Sequence, residues 1–136
     1  MSKYKFIHVD VFKKEIGLFV GTREDFISWI DEEYGNCDSY KDMVECVHNH
    51  PIRYEDGTFW YNEKTGDGVI ELHDIPHTAR EIAIASHEAL HATFQILDTV
   101  GVDYNKDTTN EAYCYLLELI MRNILKINNY KTYKRL

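Results

Sequence analysis

The stretch Ile84-Ala85-Ser86-His87-Glu88-Ala89-Leu90-His91-Ala92 constrains this chain most, because it sets His-Glu-x-x-His inside a segment of apolar, helix-favouring residues. On an α-helix, residues four apart lie about 40° apart around the axis and one turn along it, so His87 and His91 can reach a common point in front of one face. That point suits a zinc ion. Glu88 lies about 100° around the helix from His87, where it can hold a water on the metal without being a ligand itself. With seven His and twelve Glu in 136 residues, chance supplies about 0.03 such matches, so the motif is specific before helical context is even required.

Zinc chemistry accounts for the residue types. Neutral imidazole nitrogens bind the dication without cancelling its charge, so it stays a Lewis acid able to bring the pKa of a bound water to about 7. A carboxylate then takes the proton. A catalytic zinc keeps three protein ligands and one open position, so a third ligand must lie elsewhere in the chain.

Nineteen residues separate His91 from Glu111, which stands in Thr108-Thr109-Asn110-Glu111-Ala112 ahead of another apolar stretch. With that spacing the chain resembles the thermolysin-like zinc metallopeptidases, the gluzincins, in which His-Glu-x-x-His is followed by Asn-Glu-Ala at the start of a second helix. The resemblance spans about Gly57 to Leu119 and implies His87, His91 and Glu111 as metal ligands and Glu88 as general base. Phe59-Trp60 followed by Gly66-Asp67-Gly68 is similar too; in that family the segment supplies the edge strand of the substrate cleft. An aspartate of the family is replaced here by Tyr115, so Glu118 or a backbone carbonyl would have to orient a ligand histidine. The familiar gluzincins are much larger, and this chain would be a minimal version. Glu111 has a second reading: Thr108-x-x-Glu111 is a capping box that would only start a helix.

An oxyanion in the transition state also needs a donor. Tyr104, Tyr113 and Tyr115 all qualify, and Tyr115, four residues past Glu111, stands with Glu88 as the catalytic assignment. Cys114 could approach the metal and close its open position, but simple packing is the favoured reading. His73 and His77 read as surface or supporting residues. Cys46-Val47-His48-Asn49-His50 matches no common zinc spacing.

The formal net charge of −8 argues against nucleic acid as a partner, which needs clustered Lys and Arg. The one basic run, Lys131 to Arg135, reads as a solvated, frayed end. No apolar run reaches 18 residues and no signal-peptide core is apparent, so neither membrane insertion nor export is expected. Three cysteines without a paired framework point to a reducing, cytoplasmic setting.

Taken in order, Tyr4–Phe12 and Glu15–Val20 read as strands around Lys13-Lys14. Thr22-x-x-Asp25 starts a helix that closes at Gly35-Asn36, and a further helix spans about Ser39–Val47. Thr58–Asn62 and Val69–His73 flank a hairpin turn. Thr78-Ala79-Arg80-Glu81 is a capping box opening the motif helix, which buries Ile82, Ala85, Ala89, Phe94 and Leu97 and stops near Thr99 with Gly101 as its cap. The last helix runs from about Thr109 to Ile127, buried through Leu116, Leu117, Leu119, Ile120, Ile124 and Leu125.

These readings combine into one α+β, zincin-like domain over residues 1–136: a small, mainly antiparallel sheet packed on helices that include the His-Glu-x-x-His helix and the Glu111 helix. The expected function is a zinc metallopeptidase acting on a peptide or protein substrate, with Glu88 activating a water on zinc. A metal-binding, non-hydrolytic protein-interaction module on the same fold is the alternative, which a deep cleft beside the metal would count against. A metal-free structural domain would hold the histidines apart or bonded to carboxylates.

Overall fold

Strand β1 (Lys3–Val9) turns through a short 3-10 segment and Lys13, at φ 54°, into β2 (Lys14–Val20). The computed structural model describes residues 1–51, 56–126 and 129–135. Helices α1 (Arg23–Tyr34) and α2 (Lys41–His48) follow, then β3 (Gly57–Tyr61), β4 (Gly68–Leu72), α3 (Ala79–Thr99), α4 (Asn110–Leu125) and β5 (Lys131–Thr132). The sheet order is β3-β4-β2-β1-β5. Only β2 and β4 pair in parallel; the β1–β2, β1–β5 and β3–β4 pairs are antiparallel. The chain is thus α+β with a mixed, mainly antiparallel sheet.

Helices cover both faces of that sheet: α3 and α4 on one, α1 and α2 on the other. The reason lies in β2, where Ile16, Leu18 and Val20 face one way and Phe19 the other, all buried. A strand apolar on both faces needs cover on both. Ile7, Val9, Ile16, Leu18, Ile70 and Leu72 pack with α3 and α4. Phe19 and Val69 pack with Phe26, Trp29 and Met43 of α1 and α2. Arg23 bridges Glu71 at 2.5 Å on that second side, where Trp60 Nε1 also donates to Glu71.

The expected Thr78–Glu81 capping box forms: the Glu81 N–H donates to Thr78 Oγ1 at 3.2 Å and the Thr78 N–H to Glu81 Oε1 at 3.0 Å. At the far end Val102 N–H bonds to Leu97 O and Gly101 N–H to Asp98 O, with Gly101 at φ 84°, a Schellman motif that stops α3 at Thr99. Phe94, expected in the core, is 45% exposed. It lies seven residues after His87, about 20° from it around the helix, and so shares the histidine stripe. The buried stripe is instead Ala85, Ala89, Ala92, Thr93, Ile96 and Leu97.

In α4 the inner stripe is Tyr113, Leu116, Ile120 and Ile124. Leu125 and Cys114 are exposed, against expectation, because neither falls on that stripe. The expected end at Ile127 lies outside the described residues.

The basic tail is not frayed. Lys131 and Thr132 pair with Tyr4 and Lys3 of β1. Tyr133 is buried against Phe19 and donates to Glu32, while Arg135 bridges Asp25 at 2.6 Å and Glu24 at 3.1 Å. Glu24 and Asp25 occupy the first turn of α1. A buried aromatic and a charge match hold the segment where composition alone suggested solvation.

Candidate metal centre

Four-residue spacing on α3 brings the Nε2 atoms of His87 and His91 to 3.1 Å from each other, with the rings at 74°. Two nitrogens each about 2.05 Å from one zinc in a tetrahedron stand about 3.3 Å apart. The imidazoles therefore fit two of the four positions. Both histidines are exposed, so the point they share is open to solvent on one side. Glu88 differs: its side chain is 8% exposed, and Oε1 lies 4.0 Å from His87 Nε2.

Gly57 explains how the sheet edge reaches this point. A Cβ there would stand 2.8 Å from Ile84 Cγ2 and 3.2 Å from Glu88 Cγ, so only glycine lets β3 approach α3 this closely. Strand β3 is an edge of the sheet. Between it and α3 opens a cleft of about 680 Å³. Thr58, Phe59 and Tyr61 line one side, His87, Glu88, His91, Phe94, Gln95 and Asp98 another, and Asp103, Tyr104 and Tyr113 complete it. The histidine pair, Glu88 and an unpaired strand edge thus share one cavity.

Glu111 and Tyr115 are placed differently. Both are exposed on α4 and neither lines the cleft. Among the described residues no three His, Cys, Asp or Glu side chains converge closely enough to hold a metal. The capping role open to Glu111 is not taken either: α4 begins at Asn110, and its N-cap Thr109 makes no side-chain cap bond. Glu118 is engaged by Arg122 on the same exposed side.

Of the three tyrosines, Tyr104 and Tyr113 reach the cleft. The Tyr113 hydroxyl donates to Val102 O at 2.5 Å, which commits its only proton. Burial, then Asp103 and Asp98, hold that phenol above its usual range.

The other histidines serve local structure. His48 Nε2 lies 2.7 Å from Asp31 Oδ1, and His50 Nδ1 lies 2.8 Å from the Cys46 carbonyl. His73 and His77 are exposed.

Sequence reasoning missed Phe94, Gln95, Asp98 and Asp103 as cleft residues. The first three were within reach, since 87, 91, 94–95 and 98 follow the helical repeat that made the histidines a pair. Asp103 carries no such signal; the α3–α4 connection brings it there.

No family model matches the chain, and no curated protein or solved structure matches it either.

Proposed function

We propose that the protein is a zinc-dependent peptidase on a minimal zincin-like fold, acting in the cytoplasm. The observation that carries this reading is the 3.1 Å convergence of two Nε2 atoms beside a buried carboxylate in an open cleft. His87 and His91 would hold the metal; Glu111, exposed on the helix packed on α3 and outside the cleft lining, is the proposed third ligand and would reach the metal only by turning toward the histidines. Zinc, when bound, supplies a Lewis acid that acidifies water and polarises a carbonyl.

The remaining work belongs to the chain. Glu88, buried and one residue from His87, accepts the proton of the attacking water and returns it to the leaving amine. The β3 edge offers main-chain hydrogen bonds to an extended peptide, a hold that tolerates varied sequence. Tyr104 is the expected phenol that both lines the cleft and keeps its proton uncommitted by any hydrogen bond among the described residues, so it replaces Tyr115 as the proposed oxyanion donor. A cleft of about 680 Å³ that takes in both histidines and Glu88 supports hydrolysis over a purely metal-binding interaction module. The exposed thiols of Cys37, Cys46 and Cys114 suit a reducing compartment. Among the described residues no helix is long and apolar enough to cross a membrane.

The test is metal content paired with cleavage of a peptide library. Wild type is expected to carry about one zinc per chain. Glu88→Gln keeps the metal and loses turnover, while Glu111→Ala loses affinity for the metal. Turnover in the Gln variant would end the role of Glu88, and unchanged zinc affinity in the Ala variant would remove Glu111 from the ligand set.

A further inference from the structure

The cleft has a second chemical feature that zinc does not use. Its acidic lining is Glu88, Asp98 and Asp103, with no Lys or Arg among the described residues that line it. Asp98 and Asp103 are exposed, and neither makes an ion pair among the described residues. Asp98 also sits in the last turn of α3, where the helix dipole disfavours a negative charge and no basic residue compensates. A local rule broken without structural return marks a residue kept for something else.

Three aromatic rings accompany these acids. Phe94 and Tyr113 lie 5.0 Å apart, Tyr104 and Tyr113 5.2 Å, and Phe94 and Tyr104 6.3 Å, all on the cleft wall. Phe94 and Tyr104 are 45% and 55% exposed, so ring surface is presented to whatever enters. Carboxylates beside open ring faces favour a cation borne on an apolar stem, the chemistry of a lysine or arginine side chain. An acetate-like or phosphate-like group would be repelled.

We propose that the Asp98–Asp103 end of the cleft is a specificity subsite for a basic side chain of the peptide substrate. The inference rests on the peptide-cleft reading above and names the substrate class that reading leaves open. Asp98 lies seven positions after His91 on α3, about 10.5 Å along the helix. An extended peptide advances about 3.3 Å per residue, so the basic side chain stands within about three residues of the bond held at His87 and His91. Asp98 and Asp103 act on the ligand through charge, and Phe94, Tyr104 and Tyr113 supply the surface along which its stem lies.

The experiment uses fluorescein-labelled Ala/Ser octapeptides that carry one central arginine or one central citrulline, which keeps shape and removes charge. Binding to the full chain is read by anisotropy, on zinc-loaded Glu88→Gln protein and on protein treated with chelator. Partly exposed ion pairs and a ring contact together are worth roughly tenfold in Kd. The arginine peptide is expected to bind about that much more tightly, with the advantage shrinking as salt rises. Asp98→Asn combined with Asp103→Asn should bring the two peptides within about twofold while leaving the citrulline Kd unchanged. Relief of the unfavourable helix-end charge keeps the variant folded, which circular dichroism checks, and Asp98→Asn alone should give a partial loss.

Equal Kd values for the two peptides on the parent protein, or an arginine preference that survives the double substitution, would overturn the subsite. Arginine preference in a protein that neither holds zinc nor cleaves any peptide would overturn the peptidase reading and leave the subsite standing. Cleavage of both peptides with equal kcat/KM would do the reverse.

Discussion

Lys5 shows how much one side chain can decide. It is 6% exposed on β1, its Nζ has no hydrogen-bond partner among the described residues, and it lies 5.0 Å from the centre of the Tyr130 ring. Burial, then Lys126, pull its pKa below the ordinary lysine value. At Lys5 the unfolded chain therefore binds more protons than the folded one in the window below about pH 10.4, so the contribution of this residue to stability rises with pH there. Lys5→Met removes the buried ammonium and keeps most of the stem. It should raise stability by about 1 kcal/mol near neutral pH, the cost of an unsatisfied buried donor less its ring contact. Urea midpoints at pH 8 and pH 10 check both statements: the lead of the Met variant over the wild type should narrow between them. A midpoint unmoved by the substitution would show that Tyr130 already offsets the burial in full.

At the scale of elements, α3 carries the site, and its two ends are set by different means. The start depends on the reciprocal Thr78–Glu81 bonds. The stop depends on Gly101 in the left-handed region. Thr78→Ala removes the acceptor for the Glu81 N–H and should cost about 1 kcal/mol, or roughly 4 °C in Tm. The histidines lie more than two turns further on, so zinc content should be unchanged; thermal unfolding and metal analysis read the two effects separately. The Glu81 carboxyl is held below its usual range by the N–H groups of Thr78 and His77. A depressed carboxyl stabilises the fold above its unfolded pKa of about 4.3, and the contribution fades as pH falls through the folded value.

For the whole molecule, metal and fold are linked. A ligand that binds only the native state at a hundred times its Kd adds about 2.7 kcal/mol, or roughly 10 °C in Tm for a domain of this size. Zinc should raise Tm by about that amount in wild type and in Glu88→Gln, and leave His87→Ala unmoved. Differential scanning calorimetry with and without chelator decides it. An equal rise in the His87→Ala protein would place the zinc elsewhere in the chain.

Short-range patterns were readable before any coordinates. Thr22 and Thr78 as caps, Gly101 as a stop, the Thr58–His73 hairpin and the His87–His91 pair all depend on residues within a few positions of one another, so the chain itself determined them. Tertiary packing decided what local spacing could not. The tail around Tyr133 docks because Phe19, Glu32 and Asp25 wait more than a hundred residues earlier. Phe94 is open because the core took the opposite stripe of α3, and Asp103 joins the cleft only through the path of the α3–α4 connection. Helical periodicity states which residues share a face; which face is buried depends on the energy of packing against elements remote in the chain.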